Sequence, residues 1–157
     1  MTSVPHAPIS RLASPAPQPH PVSTKLQVLI VDDQELVRKH CQRVVEAQGY
    51  DAPLADSAGA ALDIIEGNHI DIVLADLKLP GMTGIELLEV LKRRNPRIEV
   101  VIMTGYSSVH SAVQAMKLGA ADYIVKPFSS EEMALLLRNL AEKILIDRKS
   151  TRLNSSH

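Results

Sequence analysis

The chain has 157 residues, 45% of them hydrophobic and 22% charged, with a formal charge of −1, which is the composition of one ordinary globular domain with tails. No apolar run approaches the roughly 18 to 20 residues of a membrane span and no basic-then-apolar start marks a secretory signal, so a cytoplasmic protein is expected. No basic stripe with interleaved aromatics suits direct nucleic-acid binding, and the lone Cys41 excludes an internal disulfide.

Residues 1–24 hold six of the ten prolines among scattered Ala and Ser, a mix that cannot bury a core and reads as a disordered Pro-rich leader. Between Lys25 and Ile146, apolar runs alternate with helical patterns five times, the pattern of an α/β fold with a parallel sheet. Strands are predicted near 26–31, 51–55, 71–75, 98–103 and 122–125. The first, third and fourth are nearly all apolar, as central strands covered on both faces must be. The second is short and carries Pro53, which belongs at a sheet edge. The result is a doubly wound five-stranded sheet of order 2-1-3-4-5 with helices on both faces, the flavodoxin-like arrangement.

The helices carry one apolar stripe each. Val37, Cys41, Val44 and Val45 recur at spacings of three and four, as do Met133, Leu136, Leu137, Leu140 and Ile144; Cys41 therefore reads as a buried small hydrophobe. Ser57 is placed to cap the second helix and Gly67 to close it. Ser129 and Glu132 have the spacing of a capping box for the last.

The sequence from Asp147 to His157 can be encoded by codons that match a common short-read sequencing adapter. Residues 147–157 are therefore expected to be a non-native adapter-derived tail, with an output region lost by truncation near Ile146. Without that tail the chain has 14 basic and 17 acidic residues, a charge of −3.

Polar residues stand at four predicted strand ends: the pair Asp32-Asp33, Asp76 before the turn-forming Leu79-Pro80-Gly81, Thr104, and Lys126. In an open parallel sheet these ends share one edge, where ligands bind. Crowded like charges cost stability unless something binds among them. Mg2+ fits such a set, because a small hard cation takes a few carboxylate oxygens and keeps several waters. Asp33 and Asp76 can supply oxygens, Asp32 can reach the ion through water, and the backbone carbonyl of Lys78 adds another. Asp76 then has the setting of a carboxylate nucleophile of the aspartyl-phosphate kind, with Lys126 and Thr104 free to hold phosphoryl oxygens.

Val31-Asp32-Asp33, Asp76 with Pro80-Gly81-Met82-Thr83-Gly84, Met103-Thr104-Gly105, and Asp122-Tyr123-Ile124-Val125-Lys126-Pro127-Phe128 together resemble the response-regulator receiver domain of two-component signalling, over about residues 25–146. The resemblance implies that Asp76 is the phosphoacceptor and that Asp32 and Asp33 are metal acids. Thr104 becomes the switch hydroxyl, Lys126 the phosphoryl-binding amine and Tyr123 the aromatic that changes rotamer. It also implies a cis peptide between Lys126 and Pro127 and a role for the variable neighbours Lys78 and Tyr106 in setting phosphoryl lifetime. The segment from Met103 to Ala121 is most similar to receivers of the nitrogen-regulation type, which precede an ATPase domain and a helix-turn-helix.

The partner so implied is a sensor histidine kinase or phosphotransfer protein, the product a transcription regulator's switched output surface, with pairing of two copies through that surface left open. His110 falls near that face and reads as solvated surface. No enzyme activity is expected beyond Mg2+-dependent self-phosphorylation from a phosphodonor and autodephosphorylation. Two rivals stand beside this reading. An aspartyl phosphatase on a similar sheet usually carries a second acid two residues after the first, where this chain has Lys78. A module that keeps the fold but signals without phosphate is disfavoured by the complete set of acids, hydroxyl and amine.

Overall fold

The computed structural model describes residues 25–105 and 109–155. Its strands are β1 (Val28–Val31), β2 (Leu54–Ala55), β3 (Ile72–Asp76), β4 (Glu99–Gly105) and β5 (Asp122–Lys126). The helices are α1 (Glu35–Ala47), α2 (Ala58–Gly67), α3 (Gly84–Arg94), α4 (Val109–Lys117) and α5 (Ser130–Ser155). All pairings are parallel and the sheet order is β2-β1-β3-β4-β5, as expected. The Pro-rich leader, Tyr106 and the last two tail residues lie outside the described residues.

Alternation along the strands divides the core in two. Leu29 and Val31, Val73 and Ala75, and Val100 and Ile102 face one side, where they meet Ala58, Ala61, Leu87, Leu88, Leu91 and Ala115 from α2, α3 and α4. Val28 and Ile30, Ile72 and Leu74, and Val101 and Met103 face the other, against Cys41, Val44 and Val45 of α1 and Met133, Leu137, Leu140 and Ile144 of α5. Both predicted helix stripes thus supply the core. The central strands have no solvent face, which is why their sequence shows no polar alternation.

Three elements differ from expectation. β2 is only two residues long, although Asp51 still bridges Gln27 and the carbonyls of Asp51, Pro53 and Ala55 accept from Val28, Ile30 and Asp32. Pro53 has no N–H to return and so breaks the ladder on one side. β4 runs two residues further than predicted, so Thr104 lies inside the strand.

α5 does not stop near Ile146 but continues to Ser155, since no glycine or proline interrupts it. It brings the Arg148 guanidinium onto Asp71. Asp71 is buried at the amino edge of the sheet, where its carboxylate accepts from the Gln27 amide at 2.9 Å and pairs with His69 at 2.8 Å. Asp71 stands at the start of the third predicted strand, and nothing in the local sequence marks these partners.

The predicted caps form. The Ser57 hydroxyl accepts from the Ala60 amide at 3.1 Å, and α2 ends at Gly67 with the Asn68 side chain donating to the Ile64 carbonyl. Ser129 and Glu132 exchange both capping-box bonds, at 3.0 and 3.1 Å. Leu74 is wholly buried at the centre of β3. Leu74→Ala should therefore cost about 2–5 kcal/mol in urea unfolding with an unchanged slope; a loss below about 1 kcal/mol would contradict close packing around it.

Candidate functional site

Four strands deliver the expected residues to one edge. Asp32 follows β1 and is wholly buried; its Oδ1 accepts from the Gln34 amide at 2.9 Å and its Oδ2 from Lys126 Nζ at 2.7 Å. Asp33, the next residue, is exposed. Asp76 is the last residue of β3 and largely buried. Its Oδ2 lies 3.3 Å from the Lys126 ammonium, and its Oδ1 accepts a longer bond, 3.4 Å, from the Lys78 amide. One carboxylate oxygen from each of Asp32, Asp33 and Asp76 falls within 4.8 Å of the others.

The loop that follows Asp76 is fixed by short-range geometry. Met82 donates to the Pro80 carbonyl at 2.9 Å across Gly81, whose φ of +79° suits only glycine in such a γ-turn. Thr83 and Glu86 then form a capping box, at 3.0 and 3.1 Å, which starts α3. Gly84 is held against the strand end: its amide donates to the Leu77 carbonyl at 2.9 Å, and a Cβ there would stand 2.5 Å from the Asp76 carbonyl oxygen. The Thr83–Glu86 cap was not among those expected, although its T-x-x-E spacing is a sequence signal that could have found it; the closeness of Gly84 to Asp76 is visible only in three dimensions.

Thr104 is wholly buried one residue beyond Met103, the partner of Asp76 in the ladder. Its hydroxyl donates to the Gly105 carbonyl at 3.3 Å. Tyr123 lies on β5 beside Ile102, half-buried against the core face of α2–α4. The Lys126–Pro127 peptide is cis. His110 is exposed on α4.

Burial is the main force raising the Asp76 carboxyl above the ordinary carboxylate range, the Asp32 charge adds to it, and Lys126 opposes both. Burial of the Lys126 amine works to lower its pKa, but the hydrogen bond and charge of Asp32, followed by those of Asp76, outweigh it and leave the amine raised. Beneath Asp32, the Cys41 thiol is pushed up to about 12, chiefly by burial and then by the Asp32 charge. It rests against the Met103 sulfur at 3.8 Å and is inert at neutral pH.

The residue-family model described as the response regulator receiver domain matches residues 28–138. The chain belongs to that family. The receiver is 35% identical over 132 residues to a putative NtrX-like response regulator of Rickettsia bellii, covering 83% of this chain and 28% of that protein. To the regulatory protein AtoC of Escherichia coli it is 36% identical over 112 residues, covering 71% of this chain and 24% of that one. It therefore spans about a quarter of the length of these relatives. Among solved structures, the receiver domain of NtrX from Brucella abortus superposes with a TM-score of 0.71 at 30% identity, over 74% of this chain and 98% of that one. The fold and the resemblance read from the sequence are thereby both established, including the likeness to receivers of the nitrogen-regulation type. Among the described residues no helix is long and apolar enough to cross a membrane.

The acid cluster suits a small divalent cation. Its donors are hard carboxylate oxygens on one side, and exposed Asp33 leaves the other side open to the waters that Mg2+ retains.

Because the folded-state pKa of Asp76 is raised, its ionised form burdens the fold at neutral pH, and that burden vanishes once both states are protonated. In the absence of Mg2+, Asp76→Asn should therefore be more stable than the parent at pH 7, with a gain that shrinks as pH falls and is gone below about pH 3. Urea unfolding across pH checks this, and a gain independent of pH would contradict it. Gly84→Ala should cost about 1–3 kcal/mol and shift the Asp76–Lys78 amide resonances, because the new methyl must displace the Asp76 carbonyl; an unperturbed spectrum would contradict the close approach.

Proposed function

We propose that this receiver accepts a phosphoryl group on Asp76 from a sensor histidine kinase or a phosphotransfer protein, with Mg2+ held by the acid cluster. The observation that carries the reading is the placing of Asp76 at a strand end within 3.3 Å of the Lys126 ammonium and within the three-acid cluster. Asp32, Asp33 and Asp76 would hold the ion, with the Lys78 main-chain carbonyl as a further oxygen. When bound, Mg2+ neutralises charge on the phosphoryl oxygens.

The remaining chemistry belongs to the chain. An Asp76 carboxylate oxygen attacks phosphorus, the bond from phosphorus to the donor breaks with its electron pair leaving on the donor, and an acyl phosphate forms. Lys126, already bridging Asp32 and Asp76, turns its ammonium to a phosphoryl oxygen. Thr104 exchanges its long bond to the Gly105 carbonyl for a charge-assisted one. The group adds roughly −1.5 to −2 charges, draws Thr104 inward and opens space beside Ile102 for the half-buried Tyr123 ring. The surface of α4, β5 and α5 changes in consequence by selection of a minor conformer.

Apart from acquiring and losing phosphate, the receiver catalyses nothing. Lys78, standing two residues after Asp76, supports this against the phosphatase reading, in which a second acid takes that place. The relatives are several times longer, and we infer that the receiver controls an output region of a transcription regulator, working in the cytoplasm.

Intact mass of the chain after incubation with Mg2+ and acetyl phosphate tests the reading. One phosphoryl increment is expected, absent without Mg2+ and absent in Asp76→Asn; an increment that survives in the variant would place the acceptor elsewhere. Tyr123→Ala should keep the increment but lose the change in α4 and β5 amide resonances that accompanies it. Retention of that full change would remove the aromatic from the switch.

A further inference from the structure

Arg38 lies on α1, four residues beyond Gln34, whose carbonyl accepts from its amide. The Arg38 Nη1 donates to the main-chain carbonyl of Asp32 at 2.7 Å. That carbonyl belongs to the peptide joining the wholly buried Asp32 to the exposed Asp33. Its orientation therefore sets how two neighbouring carboxylates, on opposite sides of one peptide, come to offer oxygens to one cluster.

The platform for this contact is itself held. Cys41, Val44 and Val45 bury one face of α1 in the core. Further along, the His40 ring stacks on Phe128 with centroids 5.5 Å apart and planes 17° from parallel, and its Nε2 lies 3.1 Å from the Ser130 hydroxyl. α1 thus touches both the segment that carries Asp32 and the segment that follows Lys126.

We propose that Arg38 is a positioning residue for the divalent-cation site: its guanidinium clamps the Asp32 carbonyl and so pre-sets the Asp32–Asp33 peptide for metal binding. The proposal rests on the Mg2+-binding reading above. A charged donor on a peptide carbonyl makes a strong and directional bond, and groups that orient metal ligands from behind commonly matter to affinity by tenfold or more.

The alternative role for Arg38 predicts the opposite sign. As a plain cation beside three carboxylates it repels Mg2+, and its removal should strengthen metal binding. As a clamp, its removal should weaken binding although a repelling charge has gone. Calorimetric titration of the full chain with Mg2+ alone, in the parent and in Arg38→Gln, separates the two, with thermal unfolding as a check on folding. The clamp predicts about tenfold weaker binding in Arg38→Gln and recovery toward the parent in Arg38→Lys, which keeps a charged donor. Equal or tighter binding in Arg38→Gln overturns the proposal while leaving the phosphoacceptor reading intact. No saturable binding in the parent overturns both. Should Arg38→Gln fail to fold, Arg38→Met, which keeps the aliphatic stem and has no donor, is judged against the parent directly: weaker binding carries the proposal and equal or tighter binding overturns it.

Discussion

The ammonium of Lys126, lodged between Asp32 at 2.7 Å and Asp76 at 3.3 Å, is the contact on which the rest of the site depends. Two buried carboxylates with a third acid beside them would repel one another and lose hydration without compensation. One amine pairs with both carboxylates, offsetting part of that cost, and crosses the sheet edge from β5 to reach them. The arrangement needs parallel strands in the observed register, in which Val31 lies opposite Ala75, Asp76 opposite Met103 and Gly105 opposite Lys126. A slip of one residue in any of these strands would turn its terminal side chain to the other face. The long apolar runs of β1, β3 and β4 therefore do more than fill the core, because burial on both faces is what forbids such slips.

The site is rigid in its main chain and loosely bonded in the side chains that would respond to a ligand. Gly81, the Thr83–Glu86 cap and the contact of Gly84 with the Asp76 carbonyl fix the loop after β3. By contrast, Thr104 makes a long bond to its neighbour's carbonyl, the Lys78 amide reaches Asp76 only at 3.4 Å, and Tyr123 is half-buried. A charge arriving at Asp76 meets donors that lose little by changing partner. Under the proposed function, that division would let a local event be read at α4 and β5 while the sheet stays as it is.

Much of this was legible in the chain because its signals are local or periodic. The apolar runs gave the central strands, Pro53 marked the edge, the spacings of three and four gave the buried faces of α1 and α5, and polar residues at strand ends marked the pocket. What escaped depends on through-space geometry. Pro53 shortened β2 to two residues because a missing N–H breaks the ladder, whereas the pairing itself survives through carbonyls. Thr104 fell inside β4 because hydrogen bonding to β5 continues past the last apolar residue. Gly84 beside Asp76, Arg38 on the Asp32 carbonyl and the buried Asp71 with His69 and Arg148 join residues whose proximity no periodicity records. α5 runs past Ile144, where its apolar spacing ends, because its polar continuation holds no glycine or proline to break it.

The proposed function requires the carboxyl edge of the sheet, and not the acidic surface at large, to hold the divalent cation. Backbone amide resonances followed during a Mg2+ titration read this out residue by residue. Saturable shifts confined to Asp32–Gln34, Asp76–Lys78 and the adjoining Thr104–Gly105 segment are expected. Shifts scattered over exposed acids, or centred on Asp71 at the opposite edge, would contradict it.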